Sequence, residues 1–445
     1  PLGPTLGTQF MALSGSGPAD YAVRLHLPTQ DTDARDYVVR TKLRSVSVTW
    51  PVLRAPASRV TGDLVIHNRE ISAPALRGVI LDGPFELNVQ PGPVGGDVSA
   101  TVLLSASGRA SGVQLPRFIG LPDAIRMTGA TDWRLSGRIE RRGNGEQWPA
   151  RIEVATDLRG LGIDAPNPFA KAAPEPRPTR IVLDVPGRGR TDVRIDSGAA
   201  RAALLFAERG GQRWDLERGA ARFDAQPVTL PARPGLHVGG DWPEFDLAEW
   251  LALRSGTPGG RSLSDWLGPV DVHLDRARVF GFEFLDVTAR LEPIADAWRI
   301  NASGPMAEGT ITVPSDFTRG VPLGLDMRRL VLKSAPVRPG TAPAPETDPR
   351  DLPAIAAQVQ EFAWQGRRFG RLSAQVDKVP QGLRLANLAT ESSDFTLKGT
   401  GSWLVEAGGA RTQLTLDFAS TDFAAASRAL GYRDTVEAEK VRANA

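Results

Sequence analysis

The sequence predicts a mainly β protein in which a few short helices accompany an elongated, curled antiparallel sheet. Along many short stretches every second residue is apolar, which is the pattern of strands with one buried and one solvated face. Turn-forming residues separate these stretches roughly every 10 to 12 residues, so we expect about thirty strands. Convincing helical patterns are rare, and we expect helices to hold less than about 15% of the chain.

The N-terminal β segment covers residues 1–130. Its strands are predicted, in order, at Tyr21–Leu27, Asp36–Trp50, a series of short runs from Val60 to Val89, and Val98–Leu104. The second strand ends before Pro51, because proline cannot donate a hydrogen bond to a neighbouring strand. The apolar stretch Leu115–Ile125 is ambiguous and is compatible with a short helix.

The central β segment covers residues 131–334. Its strands are predicted at Trp133–Ile139, Ala150–Thr156, Ile181–Val185, Asp192–Asp196, Ala203–Ala207, Arg213–Glu217, Ala221–Phe223 and Val270–Leu274. The first two should form a hairpin around Gly143–Gly145, and Ala165–Pro178 is a proline-rich excursion. A short helix is predicted near residues 246–253, where Asp246 and Glu249 have the spacing of a capping box.

Residues 335–349 form a proline-rich loop, and residues 350–445 form a C-terminal β repeat. The repeat has strands predicted around residues 364–374, 382–385, 395–403 and 414–418. It ends in a short helix near residues 422–430. Asp422 is the expected N-cap of this helix, and Gly431 is expected to follow its last turn in a left-handed conformation.

An internal repeat supports an array of β units rather than unrelated domains. Its first copy contains Gly281, Phe284, Val287 and Ala289, and its second contains Gly366, Phe369, Leu372 and Ala374, 85 residues further on. Thirty strands at about 4.8 Å each would extend roughly 140 Å, which is too long for a flat open sheet. The residues alone are equally compatible with a curled trough lined by apolar side chains and with closed sandwich cores.

The sequence has no pattern of an enzyme, a cofactor site or a metal site. It lacks cysteine, its four histidines are far apart, and its glycine pairs lack the context of a dinucleotide or phosphate loop. Lysine and arginine (53) nearly balance aspartate and glutamate (51), and the arginines alternate with apolar residues instead of forming a basic face, so we expect no nucleic acid as partner. No apolar run reaches the length of a membrane-spanning helix.

Several motifs occur in the order in which one known family has them. They are Asp157–Lys171, Trp242–Trp250, Asp348–Pro353, Trp364–Leu372, Gly382–Leu385 and Gly399–Trp403. This series resembles the YhdP/AsmA-like family of long envelope proteins of Gram-negative bacteria. The resemblance extends from about Trp133 to Tyr432, and it marks the chain as an internal or C-terminal-half fragment.

The resemblance favours the trough and implies a function. It implies a periplasmic segment of a phospholipid-transport bridge between the inner and outer membranes, held to the inner membrane through a segment absent from this chain. Phospholipid acyl chains would lie in a hydrophobic groove. The residues expected to line it are Val46, Val48, Trp50, Leu183, Val185, Val193, Ile195, Leu414, Leu416 and Phe418. The alternative is a non-catalytic scaffold or envelope-biogenesis binding module with closed sandwich cores.

Overall fold

The structure, a computed structural model, confirms the mainly β fold. It describes residues 14–26, 36–49, 56–68, 70–121, 125–142, 148–187, 189–209, 214–253, 267–316, 320–336, 348–407, 409–429, 431 and 441–444. Within these residues there are 27 strands and three short helices, close to the roughly thirty strands expected and well below the expected limit on helix. Trp50, the hairpin turn at 143–147 and most of the predicted loop, residues 337–347, lie outside the described residues.

The chain divides into two compact units. Unit 1 consists of Pro1–His237 with Glu249–Leu267, and unit 2 of Val238–Ala248 with Gly268–Ala445. Elements up to residue 222 belong to unit 1: β1 Ser14–Ser16, β2 Ala19–His26, β3 Asp36–Thr49, β4 Ala57–His67, β5 Glu70–Ile80, β6 Gly83–Pro91, β7 Val98–Ser111, α1 Leu115–Ile119, β8 Arg126–Arg142, β9 Ala150–Thr156, β10 Leu161–Asp164, β11 Thr179–Gly187, β12 Arg190–Ser197, β13 Ala200–Glu208 and β14 Trp214–Arg222.

Three short elements follow where the chain leaves unit 1: β15 Gly235–Trp242, β16 Phe245–Asp246 and α2 Leu247–Ala252. The later elements belong to unit 2: β17 Leu267–Val279, β18 Phe282–Ile294, β19 Ala297–Ser303, β20 Ala307–Pro314, β21 Leu323–Leu332, β22 Ile355–Trp364, β23 Arg367–Val379, β24 Gly382–Glu391, β25 Thr396–Glu406, β26 Gly409–Ser420, α3 Phe423–Ala429 and β27 Val441–Asn444.

Most strands of unit 1 pair antiparallel with the next strand along the chain. This order runs from β2 to β9; β8 then also pairs with β10, and β9 pairs with β11, which begins the series β11 to β14. The reason is visible in β12, where Val193 and Ile195 alternate with charged residues. Such alternation gives a strand one apolar and one polar face, so neighbouring strands align with like faces together.

One predicted boundary in unit 1 is wrong. The sequence suggested separate strands before and after Gly219, but β14 runs through this position. A Cβ atom on Gly219 would lie 2.6 Å from Cδ2 of Leu204 on the neighbouring strand. The glycine therefore makes room for a packed leucine and does not mark a turn.

Unit 2 contains the predicted repeat. Two-residue turns join β17 to β18 and β22 to β23, and both have left-handed backbone at each turn residue. The φ angles are 50° and 79° at Phe280 and Gly281, and 51° and 79° at Gln365 and Gly366. Residues that match in the two copies of the repeat thus occupy equivalent positions in the two hairpins. The copies meet at a parallel pair, β21 with β22, which separates β17–β21 from β22–β26.

The sheet of unit 2 is curled. In pairing order β19 and β20 separate β18 from β21, so a flat sheet would hold these two strands about 14 Å apart. Instead, the amide of Glu283 donates to the carbonyl of Lys333 at 2.9 Å, and the amide of Ala335 donates to the carbonyl of Gly281 at 2.8 Å. β19 and β20 have only 7 and 8 residues, and their longer neighbours meet beyond their ends.

The helices begin where the sequence predicts. Oδ1 of Asp246 accepts a hydrogen bond from the amide of Ala248 at 3.0 Å at the start of α2. Oδ1 of Asp422 accepts one from the amide of Ala425 at 2.9 Å at the start of α3. Gly431 has the predicted left-handed conformation, with φ 77°. The ambiguous apolar stretch after β7 contains the helix α1.

On β8, Glu140 lies between Arg138 and Arg142 on the polar face of unit 1. Nε of Arg142 donates to Oε2 of Glu140 at 2.9 Å, and Nε of Arg138 donates to Oε1 at 2.6 Å. These hydrogen bonds, that from Arg142 first, hold the pKa of the Glu140 carboxyl below its ordinary value. The carboxylate form is therefore stabilised by folding.

A pH dependence follows from this pair of contacts. A lowered pKa in the folded state gives stability that is present above the ordinary glutamate pKa and is lost as pH falls through the folded pKa. We expect Glu140→Gln to lower the free energy of unfolding by about 1–2 kcal/mol at neutral pH, and by less at acidic pH. Urea unfolding at both pH values measures this difference. Asp132→Asn is the control, since that side chain is 78% exposed; an equal loss at acid pH would contradict the expectation.

Candidate functional site

In unit 1, residues opposite one another on neighbouring strands form continuous apolar rows on one face of the sheet. The first row is Ala73, Val89, Leu104, Gly137, Ile152, Leu183, Val193, Leu204 and Gly219. The second row is Leu76, Leu87, Ala106, Leu135, Val154, Ile181, Ile195, Ala202 and Ala221. A shorter third row is Pro91, Val102, Ile139, Ala150 and Val185. Together these rows are the apolar face of unit 1.

Unit 2 has the same arrangement over ten strands, β17 to β26. Its first row is Val270, Leu291, Ile300, Ile311, Leu325, Ala357, Ala374, Leu388, Gly399 and Leu416. The second row is Val272, Ala289, Ala302, Gly309, Met327, Val359, Leu372, Thr390, Leu397 and Phe418. These two rows are the apolar face of unit 2, and a single threonine interrupts them.

The opposite faces are polar. In unit 2 the row beside the first apolar row is Asp271, Arg290, Asn301, Thr310, Asp326, Gln358, Ser373, Ala389, Lys398 and Asp417. In unit 1 Nη1 of Arg151 donates to Asp184 at 2.7 Å across β9 and β11. Arginines such as Arg151 and Arg290 therefore lie on the solvated side of the sheet, as the sequence predicts.

One part of the polar face of unit 1 departs from this rule. Val182, Ala203 and Leu205 have the parity of the polar face, yet all three are buried. Ala203 and the segment Val228–Leu230 line a small cavity of about 230 Å³. The irregular chain after β14 thus covers this part of the face, which the alternation along single strands does not reveal.

Six of the residues predicted to line a groove lie on these apolar rows. They are Leu183, Val185, Val193 and Ile195 in unit 1, and Leu416 and Phe418 in unit 2. All six are half-buried. Leu183 lies opposite Val193, so the structure brings the candidates of β11 and β12 together.

The remaining candidates occupy other places. Leu414 continues the strand from Leu416, lies opposite Gly401, and is 51% exposed. Val46 is buried opposite Val60 on β4, and Val48 is half-buried opposite Ala57. Val46 therefore has the surroundings of a packed core residue. The role of these ten residues stays a prediction.

Part of the apolar face of unit 2 is closed into a core. Ala307, Met327, Val359 and Leu372 are buried together, and Phe284, Leu330 and Phe362 are among the residues packed against them. Met327 and Val359 are each only 1% exposed. This core lies where β18 and β21 meet, so the curl of the sheet buries the second row there more deeply than the first.

Among the described residues no three histidine, cysteine, aspartate or glutamate side chains are grouped so that they could hold a metal ion. The described helices include none that is long and apolar enough to cross a membrane. The apolar faces of unit 1 and unit 2 are therefore the candidate functional sites.

Comparison with known proteins agrees with the motifs. The sequence profile of the YhdP protein family matches residues 1–445, the whole chain. The chain belongs to the YhdP family. It is 23% identical over 440 residues to the intermembrane phospholipid transporter YhdP of Escherichia coli (strain K12), a match that covers 93% of this chain and 32% of the relative. The chain thus spans about a third of the length of that relative, and no solved structure matches it.

The sequence alone does not indicate that two polar side chains of this YhdP-family chain, Lys171 and Thr390, are buried. Lys171, in the excursion after β10, is buried, and its Nζ donates to the carbonyls of Leu161 at 2.9 Å and Ala172 at 3.0 Å. Burial lowers the pKa of this ammonium group. Thr390 is buried in the second apolar row, and its hydroxyl has no hydrogen-bond partner among the described residues.

Removing that hydroxyl should stabilise unit 2. Thr390→Val keeps the shape of the side chain and removes a buried polar group without a partner, so we expect the free energy of unfolding to rise by about 1 kcal/mol. Thr101→Val is the matched control in unit 1, because Oγ1 of Thr101 is buried and donates to the carbonyl of Pro93 at 2.7 Å. That variant should lose about 1–3 kcal/mol. Denaturant unfolding compares the two, and a loss for Thr390→Val would contradict the expectation.

Proposed function

We propose that this chain is a periplasmic segment of a phospholipid-transport bridge between the inner and outer membranes, and that acyl chains move along its apolar faces. The observation that carries the proposal is the continuity of the apolar rows from strand to strand. Each row crosses many strands with no charged residue. An acyl chain requires such a surface, because every CH₂ group removed from water contributes about 0.8 kcal/mol.

The partial burial of the rows supports an open face rather than a closed sandwich. Inward side chains of a sandwich interdigitate with a second sheet and are fully buried. Leu183, Ile195 and Leu416 are instead half-buried, and Leu414 is 51% exposed. Apolar surface is thus left for a ligand to cover.

The dimensions also support acyl chains as the ligand. Three apolar rows spaced two residues apart, at about 3.4 Å per residue, form a band about 14 Å wide in unit 1. One leaflet of a bilayer contributes about 15 Å of hydrocarbon thickness. An acyl chain that lies along the strands would therefore cover the rows, while its headgroup would reach the polar edge of the band.

The E. coli relative is an intermembrane phospholipid transporter, which supports phospholipid as the ligand and a place between two membranes. Passage along an apolar face involves no bond making, so it uses no catalytic residue, cofactor or metal. The partners proposed are phospholipid acyl chains and the two membranes, and nucleic acid has no part in the function.

The buried core of unit 2 favours a second candidate. If the faces close as completely elsewhere as they do around Met327 and Val359, the chain is a non-catalytic scaffold with dry cores. Such a module would bind envelope partners through its polar faces and would carry no lipid.

Lipid extraction distinguishes the two functions. The chain is purified from a Gram-negative periplasm without detergent, extracted with organic solvent, and its phospholipid content is measured by mass spectrometry. The bridge predicts phospholipid near or above one molecule per chain. A fully folded chain without phospholipid supports the scaffold and overturns the proposal.

A further inference from the structure

Two exposed aromatic side chains lie at neighbouring hairpin turns of unit 2. Phe280, in the turn from β17 to β18, is 63% exposed, and Trp364, the last residue of β22, is 50% exposed. Half or more of each side chain stays in contact with water after folding, so packing within the chain does not account for these two aromatic residues. Together they form an apolar projection from the ends of the strands.

The segment after β21 joins the two turns. The carbonyl of Gly281 accepts a hydrogen bond from the amide of Ala335 at 2.8 Å, and the carbonyl of Leu332 accepts one from the amide of Gln365 at 2.9 Å. The side chains of Gln365 and Ser334 are also hydrogen-bonded. The two aromatic residues therefore belong to one surface held by the backbone.

Phe280 occupies a backbone conformation that suits other residues better. Its φ is 50°, in the left-handed region. Asparagine, aspartate and glycine are preferred at the first position of such a two-residue turn, and a bulky residue there is an outlier. A phenylalanine that is both exposed and strained suggests a contact made outside the chain.

The charge around the turns is positive. Residues 276–285, 329–336 and 361–370 contain six lysines and arginines but only two glutamates, whereas the whole chain has a net charge of only +2. Lys333 and Arg368 are exposed, and within the described residues neither has a carboxylate partner. The nearby Asp275 and Asp286 lie beside His273, at 3.6 and 3.5 Å from its Nε2.

We propose that Phe280, Lys333, Trp364 and Arg368, the hairpin-tip surface, dock on an anionic phospholipid membrane. Aromatic rings prefer the boundary between headgroups and hydrocarbon, and basic side chains beside them are attracted to anionic headgroups. A protein partner would also accept aromatic residues, but the excess of positive charge favours the lipid surface. The inference concerns a membrane contact made by this chain and does not depend on the apolar faces carrying lipid.

Co-sedimentation with vesicles tests the docking. The whole chain is mixed with vesicles of phosphatidylethanolamine and phosphatidylglycerol, or with vesicles of phosphatidylcholine alone. We expect binding to the anionic vesicles that weakens with added salt. Phe280→Asn should reduce the affinity about tenfold, since one inserted aromatic is lost. The double variant Lys333→Gln/Arg368→Gln should reduce it about thirtyfold.

The same experiment includes controls for loss of folding and for the position of the substituted residue. Asparagine suits the turn, so Phe280→Asn should keep or raise the melting temperature while binding falls. Val321→Asn changes a 52% exposed apolar side chain beyond the other end of β21, and Arg384→Gln removes an exposed charge from the polar face. Both variants should bind like the unaltered chain. Equal binding to both kinds of vesicle, no binding at all, or unchanged binding of the two tip variants would overturn the proposal. Leu416→Asp should bind vesicles normally, so failure of lipid carriage is distinguished from failure of docking.

Discussion

If the proposed lipid path is right, replacing Leu416 or Ile195 by aspartate should leave the chain folded and abolish the phospholipid that is purified with it. Both side chains are half-buried on apolar faces, so a carboxylate there can stay hydrated when no lipid is present. An acyl chain that passes over it would have to strip that water, at a cost of several kcal/mol. We expect a melting temperature within a few degrees of the unaltered chain, and phospholipid near zero by mass spectrometry.

The neighbouring residue supplies the control for this experiment. Thr415 lies on the same strand as Leu416, is exposed, and faces the polar side, so Thr415→Asp should keep both fold and lipid. Unfolding of both face variants would mean that the rows are closed cores. Folded variants that retain their phospholipid would show that lipid travels elsewhere.

Met327→Ala should have the largest effect on stability. Met327 is 1% exposed at the centre of the core of unit 2, and truncating a buried methionine to alanine costs about 2–5 kcal/mol through lost contacts and a remaining cavity. The curl of the sheet closes around this side chain, so the loss should reach β18, β21 and β22 together. Leu414→Ala, at a 51% exposed position, should cost much less.

Hydrogen exchange can localise this loss. Peptides from β21 to β23 should exchange faster in Met327→Ala, while peptides from β11 to β13 of unit 1 serve as an internal reference in the same sample. The expectation fails if protection in β21 to β23 is unchanged, or if Leu414→Ala causes an equal loss. The first result would mean that the core of unit 2 contributes little to its stability.

The strands and their polarity could be predicted because they depend on near neighbours in the sequence. The alternation of Val193 and Ile195 with charged residues sets which side of β12 is apolar, whatever strand lies beside it. The caps at Asp246 and Asp422 are equally local. The repeat was visible because both turns require glycine at the same place.

What the sequence could not supply depends on distant pairs. The sequence alone indicates a break at Gly219, because it does not show that Leu204 of the neighbouring strand fills the space beside this glycine. Burial of Ala203 depends on a segment after β14, and burial of Thr390 depends on rows from several strands. The ten candidate residues share only their apolar parity along a strand. Parity cannot distinguish Val46, which is buried, from Leu414, which is exposed.

The parallel junction between β21 and β22 has a consequence for how such a protein can grow. Both apolar rows cross it without a gap, since Leu325 lies opposite Ala357 and Met327 lies opposite Val359. A duplicated block of five strands can therefore be joined in tandem with no seam in its surface. Each added block would lengthen the path across the strands by about 24 Å. The length of such a protein would then be set by its number of five-strand blocks, and each block would add the same increment.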